Sequence, residues 1–209
     1  MLDRQIILVG GFSEIIELCE EVGREIVGIF DTCLPASHAS YPLLGPDAAA
    51  QKLSEKYRNI PVLVTPDNPT KRKELADYYS QLGFSFGTLV HPSAHISRTA
   101  DMGRGVVVQS GVNVSSNVRI GAFVKLNTNA NVMHDTSVGS YTTVAPNAVL
   151  LGRVNVDEAA YIGSNATILP GLSVGRCAIV GAGAVLTKSI AANKVVAGNP
   201  ARELTRKEA

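Results

Sequence analysis

An aliphatic residue (methionine once) recurs at every sixth position from Val90 to Leu186, without exception. The positions are Val90, Ile96, Met102, Val108, Val114, Ile120, Leu126, Val132, Val138, Val144, Leu150, Val156, Ile162, Ile168, Val174, Val180 and Leu186. The residue four places after each of them is a second candidate for the interior, most often alanine or valine. A fixed short period is typical of a solenoid. Six residues are too few for a helical unit, so each unit is predicted to be one short strand and a turn.

Composition narrows the class of protein further. The chain has 209 residues, enough for one large or two small domains, and 45% of them are hydrophobic. A net charge of +1 argues against nucleic acid or an anionic membrane as the main partner. No apolar run reaches the roughly 18 residues of a membrane span. The start lacks signal-peptide anatomy, and the three cysteines have no metal-ligand spacing. We therefore expect a cytoplasmic protein without membrane insertion.

The first 88 residues have a different rhythm, in which strands and helices alternate. Apolar runs predict strands at residues 6–9, 25–31, 60–64 and 84–90. Helices are predicted from Ser13, a candidate cap, to about residue 23, and over residues 70–82. Four charged residues are expected on the solvent side of the second helix: Lys71, Arg72, Lys73 and Glu74. This alternation predicts an α/β, Rossmann-like domain with a small parallel sheet over residues 1–88, and the solenoid domain follows over residues 89–209.

The repeat resembles the hexapeptide repeat of left-handed parallel β-helix acyltransferases. In that family three hexapeptides make one triangular coil of 18 residues, so residues 90–186 would form a little over five coils. Periodicity does not give the hand of the helix. The left hand, which departs from the usual right-handed crossover, is implied by the resemblance alone.

His134 is the strongest candidate for chemistry, since it stands at a predicted corner of the solenoid and Asp135 follows it. An acid beside an imidazole can hold its tautomer and stabilise the imidazolium when the ring takes a proton. With coils of 18 residues, Gly152 lies one coil above His134, about 4.8 Å away. A glycine exposes its backbone N–H without a side chain in the way. A base, an orienting acid and an accessible amide suit acyl transfer to an amine or hydroxyl.

Several segments are similar, in order and spacing, to those of the sugar O- and N-acetyltransferases. This family includes sialic-acid O-acetyltransferases and bacterial nucleotide-linked 4-amino-sugar N-acetyltransferases. The segments are residues 126–128, 134–135, 138–139, 144–146, 151–152, 162–163, 181–185 and 198–201. The N-terminal half agrees in plan, through its Gly-rich turn and residues 64–68 and 89–94. The resemblance therefore covers nearly the whole chain.

The resemblance implies a role for each matched residue. His134 would be the general base, Asp135 would orient it, and the Gly152 amide would bind the thioester carbonyl and the developing oxyanion. Acetyl-coenzyme A (acetyl-CoA) would be the acyl donor, and no metal would be required. The donor's pantetheine arm would lie between neighbouring solenoids of a homotrimer. The residues implied to contact or shape the donor site are Thr143, Ser164, Gly181, Ala182, Gly183 and Gly198.

The N-terminal domain is the candidate binding site for an acceptor nucleotide. Gly10 and Gly11 allow a tight turn, and the helix N-terminus near Ser13 favours a phosphate. Asp31 ends the second strand roughly where an acid would meet a ribose or base. Asn127, near the His134 face, resembles a family position close to the acceptor. These are the predicted substrate-binding residues.

Two features depart from the family pattern. Thr143 stands where the family usually has a histidine that contacts the donor, so donor binding is expected to be weakened rather than lost. The N-terminal turn lacks the family's Gly-x-Gly-Gly-His, because Phe12 is bulky and Glu14 replaces the histidine with a negative charge. Two interpretations stay open for this domain, namely nucleotide-sugar binding and a cap that only covers the end of the solenoid.

The site residues and the family resemblance together imply an acetyl-CoA-dependent N-acetyltransferase. Its acceptor would be the 4-amino group of a UDP-, dTDP- or GDP-linked amino-deoxy-sugar used in surface glycans. One alternative is O-acetylation of a sugar such as sialic acid. A zinc-dependent hydratase similar to γ-carbonic anhydrases would need three converging histidines, whereas His134 is the only histidine beyond the first coil. A binding protein with an inactive site is the last alternative.

Overall fold

The computed structural model describes residues 4–32, 40–53 and 55–204. Cys33 and the last residues of the charged tail lie outside these ranges. The described part of residues 4–81 contains four strands, three α-helices and a 3₁₀ helix of six residues. These are β1 (Gln5–Val9), α1 (Ser13–Glu21), β2 (Glu25–Phe30), β3 (Leu43–Gly45), the 3₁₀ helix (Asp47–Lys52), α2 (Glu55–Arg58), β4 (Val62–Val64) and α3 (Pro69–Gln81). No helix in the described ranges is long and apolar enough to cross a membrane.

The first domain is built on a parallel sheet with the strand order β3-β2-β1-β4. The central strand β1 is buried along Ile6 to Val9, as its continuous apolar run predicts. α3 begins where the Asn68 side chain accepts a hydrogen bond from the Lys71 N–H, 3.0 Å away, and where Pro69 fixes the first turn. These are ordinary start signals of a helix, and they set its boundary one residue earlier than predicted.

The structure differs from the predicted secondary structure of this domain in three places. Ser13 does not cap α1, because Phe12 occupies the cap position and no side chain bonds there. The edge strand β3 was missed, since its short sequence carries no alternation. The predicted strand over residues 84–90 is divided, because Phe86 makes only one bridge, to Val62, while residues 89–90 pair within the solenoid.

The solenoid consists of two- and three-residue strands separated by turns. They are β5 (Leu89–Val90), β6 (His95–Ile96), β7 (Asp101–Met102), β8 (Val107–Val108), β9 (Asn113–Val114), β10 (Arg119–Ile120), β11 (Lys125–Leu126), β12 (Asn131–Val132), β13 (Ser137–Val138), β14 (Thr143–Val144), β15 (Val149–Leu150), β16 (Asn155–Val156), β17 (Tyr161–Ile162), β18 (Thr167–Ile168), β19 (Ser173–Val174), β20 (Ile179–Val180), β21 (Val185–Leu186), β22 (Val195–Ala197) and β23 (Arg202–Glu203). From β5 to β18 each strand pairs in parallel with the strand three places on, so the coils form three sheets around one apolar core. The period predicts the strands from β5 to β21, whereas β22 and β23 lie beyond the end of the repeat and were not predicted.

Each coil turns at three corners, and corner residues stack along the solenoid. The histidine corner is formed by Ser116, His134 and Gly152, the cavity corner by Ser110, Thr128, Pro146, Ser164 and Ala182, and the docking corner by Arg104, Ala122, Ser140, Glu158 and Arg176. In each stack, the N–H after one corner residue donates to the corner carbonyl one coil below, as Asp135 does to Ser116 at 3.0 Å. Because three corners divide a coil, residues 18 apart share a corner and residues 6 apart do not.

The first domain packs on the eight-stranded sheet of the solenoid. Outward positions of β8, β11 and β14 are therefore buried, although outward residues of a lone solenoid would face water. Val107 and Lys125 are 1% exposed and Thr143 is 0% exposed. At the docking corner, Phe123 stacks on Tyr141 with 5.2 Å between ring centroids and joins the apolar core of the first domain.

Arg72 anchors this contact, which corrects its predicted place on the solvent side of α3. Its side chain is 1% exposed and reaches from α3 into the docking corner. The guanidinium donates to the carbonyls of Phe123 (2.8 Å), Tyr141 (2.6 Å) and Thr142 (3.1 Å). Burial lowers its pKa to about 10. Residue type alone predicts that a charged side chain faces water, whereas the place of Arg72 on α3 turns it toward the solenoid.

Candidate active site

His134 and Asp135 form a hydrogen-bonded pair at the histidine corner. Nδ1 of the ring lies 2.8 Å from Asp135 Oδ2, and about half of each side chain is exposed. Hydrogen bonds, first from His134 and then from Asn117, hold the pKa of the Asp135 carboxyl below its usual value. An ionised carboxylate only accepts, so Nδ1 carries the proton and Nε2 is the basic nitrogen of the neutral ring. The pair therefore presents a base toward solvent.

Asn117 completes this arrangement and was not singled out in the sequence. Its Nδ2 donates to Asp135 Oδ1 at 3.1 Å, one coil below. Both residues have left-handed backbone, with φ of 58° and 59°, a conformation that asparagine and aspartate adopt more readily than most residues. The signal was present, because Asn117 stands 18 residues before Asp135.

Gly152 lies directly against the ring of His134. A Cβ added to Gly152 would come within 2.6 Å of Nε2 and 2.7 Å of Cε1. Among the described residues, none accepts a hydrogen bond from the Gly152 N–H. A glycine is thus required here because the imidazole occupies the space that a side chain would fill. That the Gly152 N–H binds an oxyanion stays a prediction.

We expect Gly152→Ala to damage activity much more than stability. The new methyl group would displace the exposed ring of His134, which can swing away from the corner without disturbing the core. A displacement of about 1 Å at a reacting group can cost on the order of 100-fold in rate. Measured kcat should fall by about that factor while the thermal unfolding midpoint changes little. Unchanged kcat would show that the ring position does not matter.

A cavity of about 460 Å³ lies between α1 and the cavity corner. Four carboxylates, one imidazole and several small polar groups line it. The lining residues are Glu14, Glu17, Leu18, Glu21, Asp67, His91, Gln109, Ser110, Asn127, Thr128, Pro146, Tyr161 and Ser164. Two predicted site residues, Asn127 and Ser164, are therefore brought together here, and they lie on a different corner from His134.

The residues predicted in the N-terminal turn do not line this cavity. Gly11 donates its N–H to Asp31 Oδ2 at 2.8 Å, so the carboxylate already occupies an amide that a phosphate could take. Gly10 has φ of 97°, and a Cβ there would lie 2.6 Å from Thr65 Oγ1 and 3.1 Å from the Phe12 ring. Ser13 is simply the first residue of α1. The turn is closed by its own contacts.

Thr143 does not fit the predicted contact with the donor. It is fully buried beneath α3, where its hydroxyl donates to the Asp67 carbonyl at 2.7 Å and accepts from Arg72 at 2.8 Å. The residue stands on the sheet that the first domain covers, which removes it from any surface that a ligand reaches. This correction follows from the domain packing and not from the repeat.

The remaining predicted donor residues lie toward the C-terminal end of the solenoid. Ala182 is exposed and follows Ser164 on the cavity corner, where the Gly183 N–H donates to the Ser164 carbonyl at 2.8 Å. Gly181 lies beside Ala197 of β22, and Gly198 opens the turn to β23. The Gly198 carbonyl accepts a hydrogen bond from Val185 at 3.0 Å. The structure thus groups these residues along the cavity corner and at the adjoining C-terminal end of the solenoid.

Across the described part of the chain, no three histidine, cysteine or acidic residues converge in a way that could hold a metal ion. His91, the histidine of the cavity, is engaged by Glu21 at 2.8 Å and by Ser93. The described residues therefore do not form the three-histidine zinc site that a hydratase of the γ-carbonic anhydrase type would need.

The chain is similar to solved structures of sugar acetyltransferases. PerB from Caulobacter crescentus, solved in complex with CoA and GDP-perosamine, is 30% identical over 96% of this chain and 97% of its own, with a TM-score of 0.89. The acetyltransferase domain of PglB from Neisseria gonorrhoeae, in complex with acetyl coenzyme A, is 30% identical over 96% of this chain and 99% of its own, with a TM-score of 0.89. WeeI from Acinetobacter baumannii is 29% identical over 96% of this chain and 100% of its own, with a TM-score of 0.85. No protein-family model and no curated protein sequence matches the chain.

This likeness confirms the predicted fold class, an α/β domain followed by a left-handed parallel β-helix. The relatives also include a perosamine N-acetyltransferase studied as histidine-to-alanine and histidine-to-asparagine mutants, each with CoA and GDP-perosamine. The predictions of an acyltransferase and of CoA as the donor carrier are confirmed by the same relatives.

Proposed function

This chain belongs to the hexapeptide-repeat nucleotide-sugar N-acetyltransferases, and we propose that it acetylates the 4-amino group of a nucleotide-linked amino-deoxy-sugar with acetyl-CoA. The observation that carries the proposal is the His134–Asp135 pair, with its free Nε2 beside Gly152. Surface glycan assembly in the cytoplasm remains the predicted context. The relatives that bind CoA and GDP-perosamine support the substrate class.

The proposed reaction is direct acyl transfer without an acyl-enzyme. The acceptor nitrogen attacks the thioester carbonyl carbon, and a new C–N bond forms. As it does so, His134 Nε2 takes a proton from the nitrogen. The tetrahedral oxyanion is stabilised by the Gly152 N–H. Its collapse breaks the C–S bond, and the thiolate leaves and is protonated. Asp135 stabilises the imidazolium between these steps and, held by Asn117, keeps the ring in place.

We further infer that a complete site needs two chains of the predicted homotrimer. Within one chain, His134 and the cavity lie on different corners of the same triangular coils, with a sheet between them. Apposition of one chain's histidine corner to its neighbour's cavity corner would bring base and acceptor together. The predicted donor residues Ser164 and Ala182 on the cavity corner would then line the same groove.

Mixed assemblies test the two-chain site. We expect His134→Ala, which lacks the base, and Ser164→Trp, which fills the cavity, each to be inactive as a homo-oligomer. Co-expressed, the two variants should regain a sizeable fraction of wild-type activity, because some interfaces combine an intact histidine corner with an intact cavity. Light scattering would give the mass of each assembly. Failure to regain activity in verified mixed oligomers would place base and cavity in one chain.

Acceptor identity is tested by the release of CoA thiol from acetyl-CoA. The panel should contain GDP-perosamine, UDP- and dTDP-linked 4-amino sugars and sialic acid. Turnover on one nucleotide-linked amino sugar, with an amide product by mass spectrometry, is the expected result. Turnover only on a hydroxyl would establish O-acetylation, and no turnover with the donor still bound would favour a binding protein.

A further inference from the structure

A buried lysine lies beneath the cavity, where an outward residue of the solenoid would otherwise meet water. Lys125 of β11 is 1% exposed. Its Nζ lies 2.9 Å from Asp67 Oδ1, 3.2 Å from the Thr65 carbonyl and 3.5 Å from Glu14 Oε1. An ammonium has three protons, and these three oxygens account for them. Lys125 therefore has no donor left for a ligand.

This lysine gives a physical reason for the altered N-terminal turn. Glu14 replaces a histidine of the family pattern with a negative charge, and it does so opposite a buried positive charge. The Phe12 ring lies 5.8 Å from the same ammonium. The turn is thus adapted to contact the solenoid, and Glu14 belongs to an ion cluster that joins α1, the loop after β4, and β11.

The cluster fixes the orientation of Asn127. The Asn127 amide is 5% exposed, and its Nδ2 points to Asp67 Oδ1 at 3.4 Å. Since that carboxylate only accepts, the amide cannot reverse without placing two acceptors together. Asn127 Oδ1 is then left buried at the cavity wall with no hydrogen-bond partner among the described residues.

Two acceptors of residues that line the cavity consequently lack a donor within the described part of the chain. One is Asn127 Oδ1, and the other is Asp67 Oδ2, for which no described residue supplies a hydrogen bond, while the Asp67 side chain is 43% exposed. Leaving a buried acceptor unpaired is unfavourable, so the group that binds here must be a donor. An ammonium offers three donors and a charge opposite to the carboxylate, whereas a hydroxyl offers one donor and no charge.

We propose that Asp67 and Asn127 form a subsite for the protonated amine of the acceptor, and that Lys125 is the positioning residue that holds both in place. The subsite selects an amino sugar over its hydroxyl analogue. Lys125 also offsets part of the Asp67 charge, so the bound ammonium can release one proton to solvent and attack as the neutral amine, from which His134 takes the second proton. This inference rests on the proposed function, since it assigns the acceptor group of the same reaction.

Asp67→Asn is the main test, because it keeps the shape of the side chain and removes its charge. We expect the acceptor KM to rise by about 10- to 100-fold, as for loss of a charged hydrogen bond, while the KM for acetyl-CoA stays unchanged. Competitive inhibition by the nucleotide sugar with a hydroxyl in place of the amine should change little. Lys125→Met should move the acceptor KM in the same direction. A purely structural role would alter both substrates together.

Asp77→Asn and Lys71→Met are matched controls, since each removes an exposed charge of α3 that makes only local ion pairs. Both should keep wild-type kinetics. If Asp67→Asn is poorly folded, Asn127→Ala replaces it. The same two quantities are then compared, the KM of the amino sugar and the inhibition constant of its hydroxyl analogue. Wild-type turnover with an unchanged acceptor KM in Asp67→Asn and Asn127→Ala overturns the subsite alone. No wild-type turnover on any amino sugar overturns the proposed function and the subsite with it.

Discussion

Replacement of His134 by glutamine should lower kcat by roughly 10²- to 10⁴-fold, the range that general-base catalysis contributes. Glutamine keeps similar length and polarity but has no basic nitrogen at neutral pH. The side chain of His134 is 47% exposed, so its loss creates no cavity in the core. The KM values and the thermal unfolding midpoint are therefore expected to stay near those of the wild type. Steady-state kinetics with the acceptor found in the thiol-release assay measure the effect.

His95→Gln is the matched control, because His95 is an exposed histidine at an outward position of the first coil. It should leave kcat unchanged. Asp135→Asn should give a smaller loss than His134→Gln, since the base remains but loses its fixed tautomer. The pKa of Asp135 is lowered in the fold, so its contact with His134 persists above the usual carboxyl pKa and is lost as the pH falls through the lowered value. Equal activities of His134→Gln and wild type would remove the histidine from the mechanism.

The period of the solenoid explains why so much of this site was predictable. A coil of 18 residues turns sequence spacing into spatial neighbours, and this spacing alone predicts that Gly152 lies against His134, as it does. The same spacing leads to Asn117, although that residue was not singled out. The fold class and the His134–Asp135 pair therefore follow from local pattern, together with one resemblance that supplies the coil size.

Contacts between the two domains could not be predicted in this way. No periodicity states which sheet the first domain covers, so Thr143 was assigned to the donor when it lies at 0% exposure under α3. The partners of Lys125 come from residues about 60 and 110 positions away in the chain, in the loop after β4 and in α1. Charge type alone assigned Arg72 to solvent. Such residues are placed by tertiary packing, which overrides the usual preference of charged groups for water.

The largest expected effect on stability is that of Arg72→Met. Methionine fills much of the volume but donates no hydrogen bond, so the carbonyls of Phe123, Tyr141 and Thr142 would lose the guanidinium that now satisfies them. A buried ion pair can sometimes be replaced by apolar residues at little cost, because both partners are removed together. Here the partners are backbone carbonyls and cannot be removed. We expect a loss of about 3–5 kcal/mol in the free energy of unfolding.

For a chain of this size, that loss corresponds to a fall of roughly 6–20 °C in the unfolding midpoint, which calorimetry would measure. Arg176→Met is the matched control, since Arg176 is 62% exposed and makes one ion pair, 3.9 Å long, with Glu158. Its effect should stay within about 0.5 kcal/mol. Arg72→Lys should recover only part of the loss, because one ammonium cannot reach all the acceptors of a planar guanidinium. If Arg72→Met and Arg176→Met unfold at the same temperature, the Arg72 hydrogen bonds do not hold the domains together, and the apolar contacts of Phe123 and Tyr141 are the next to test.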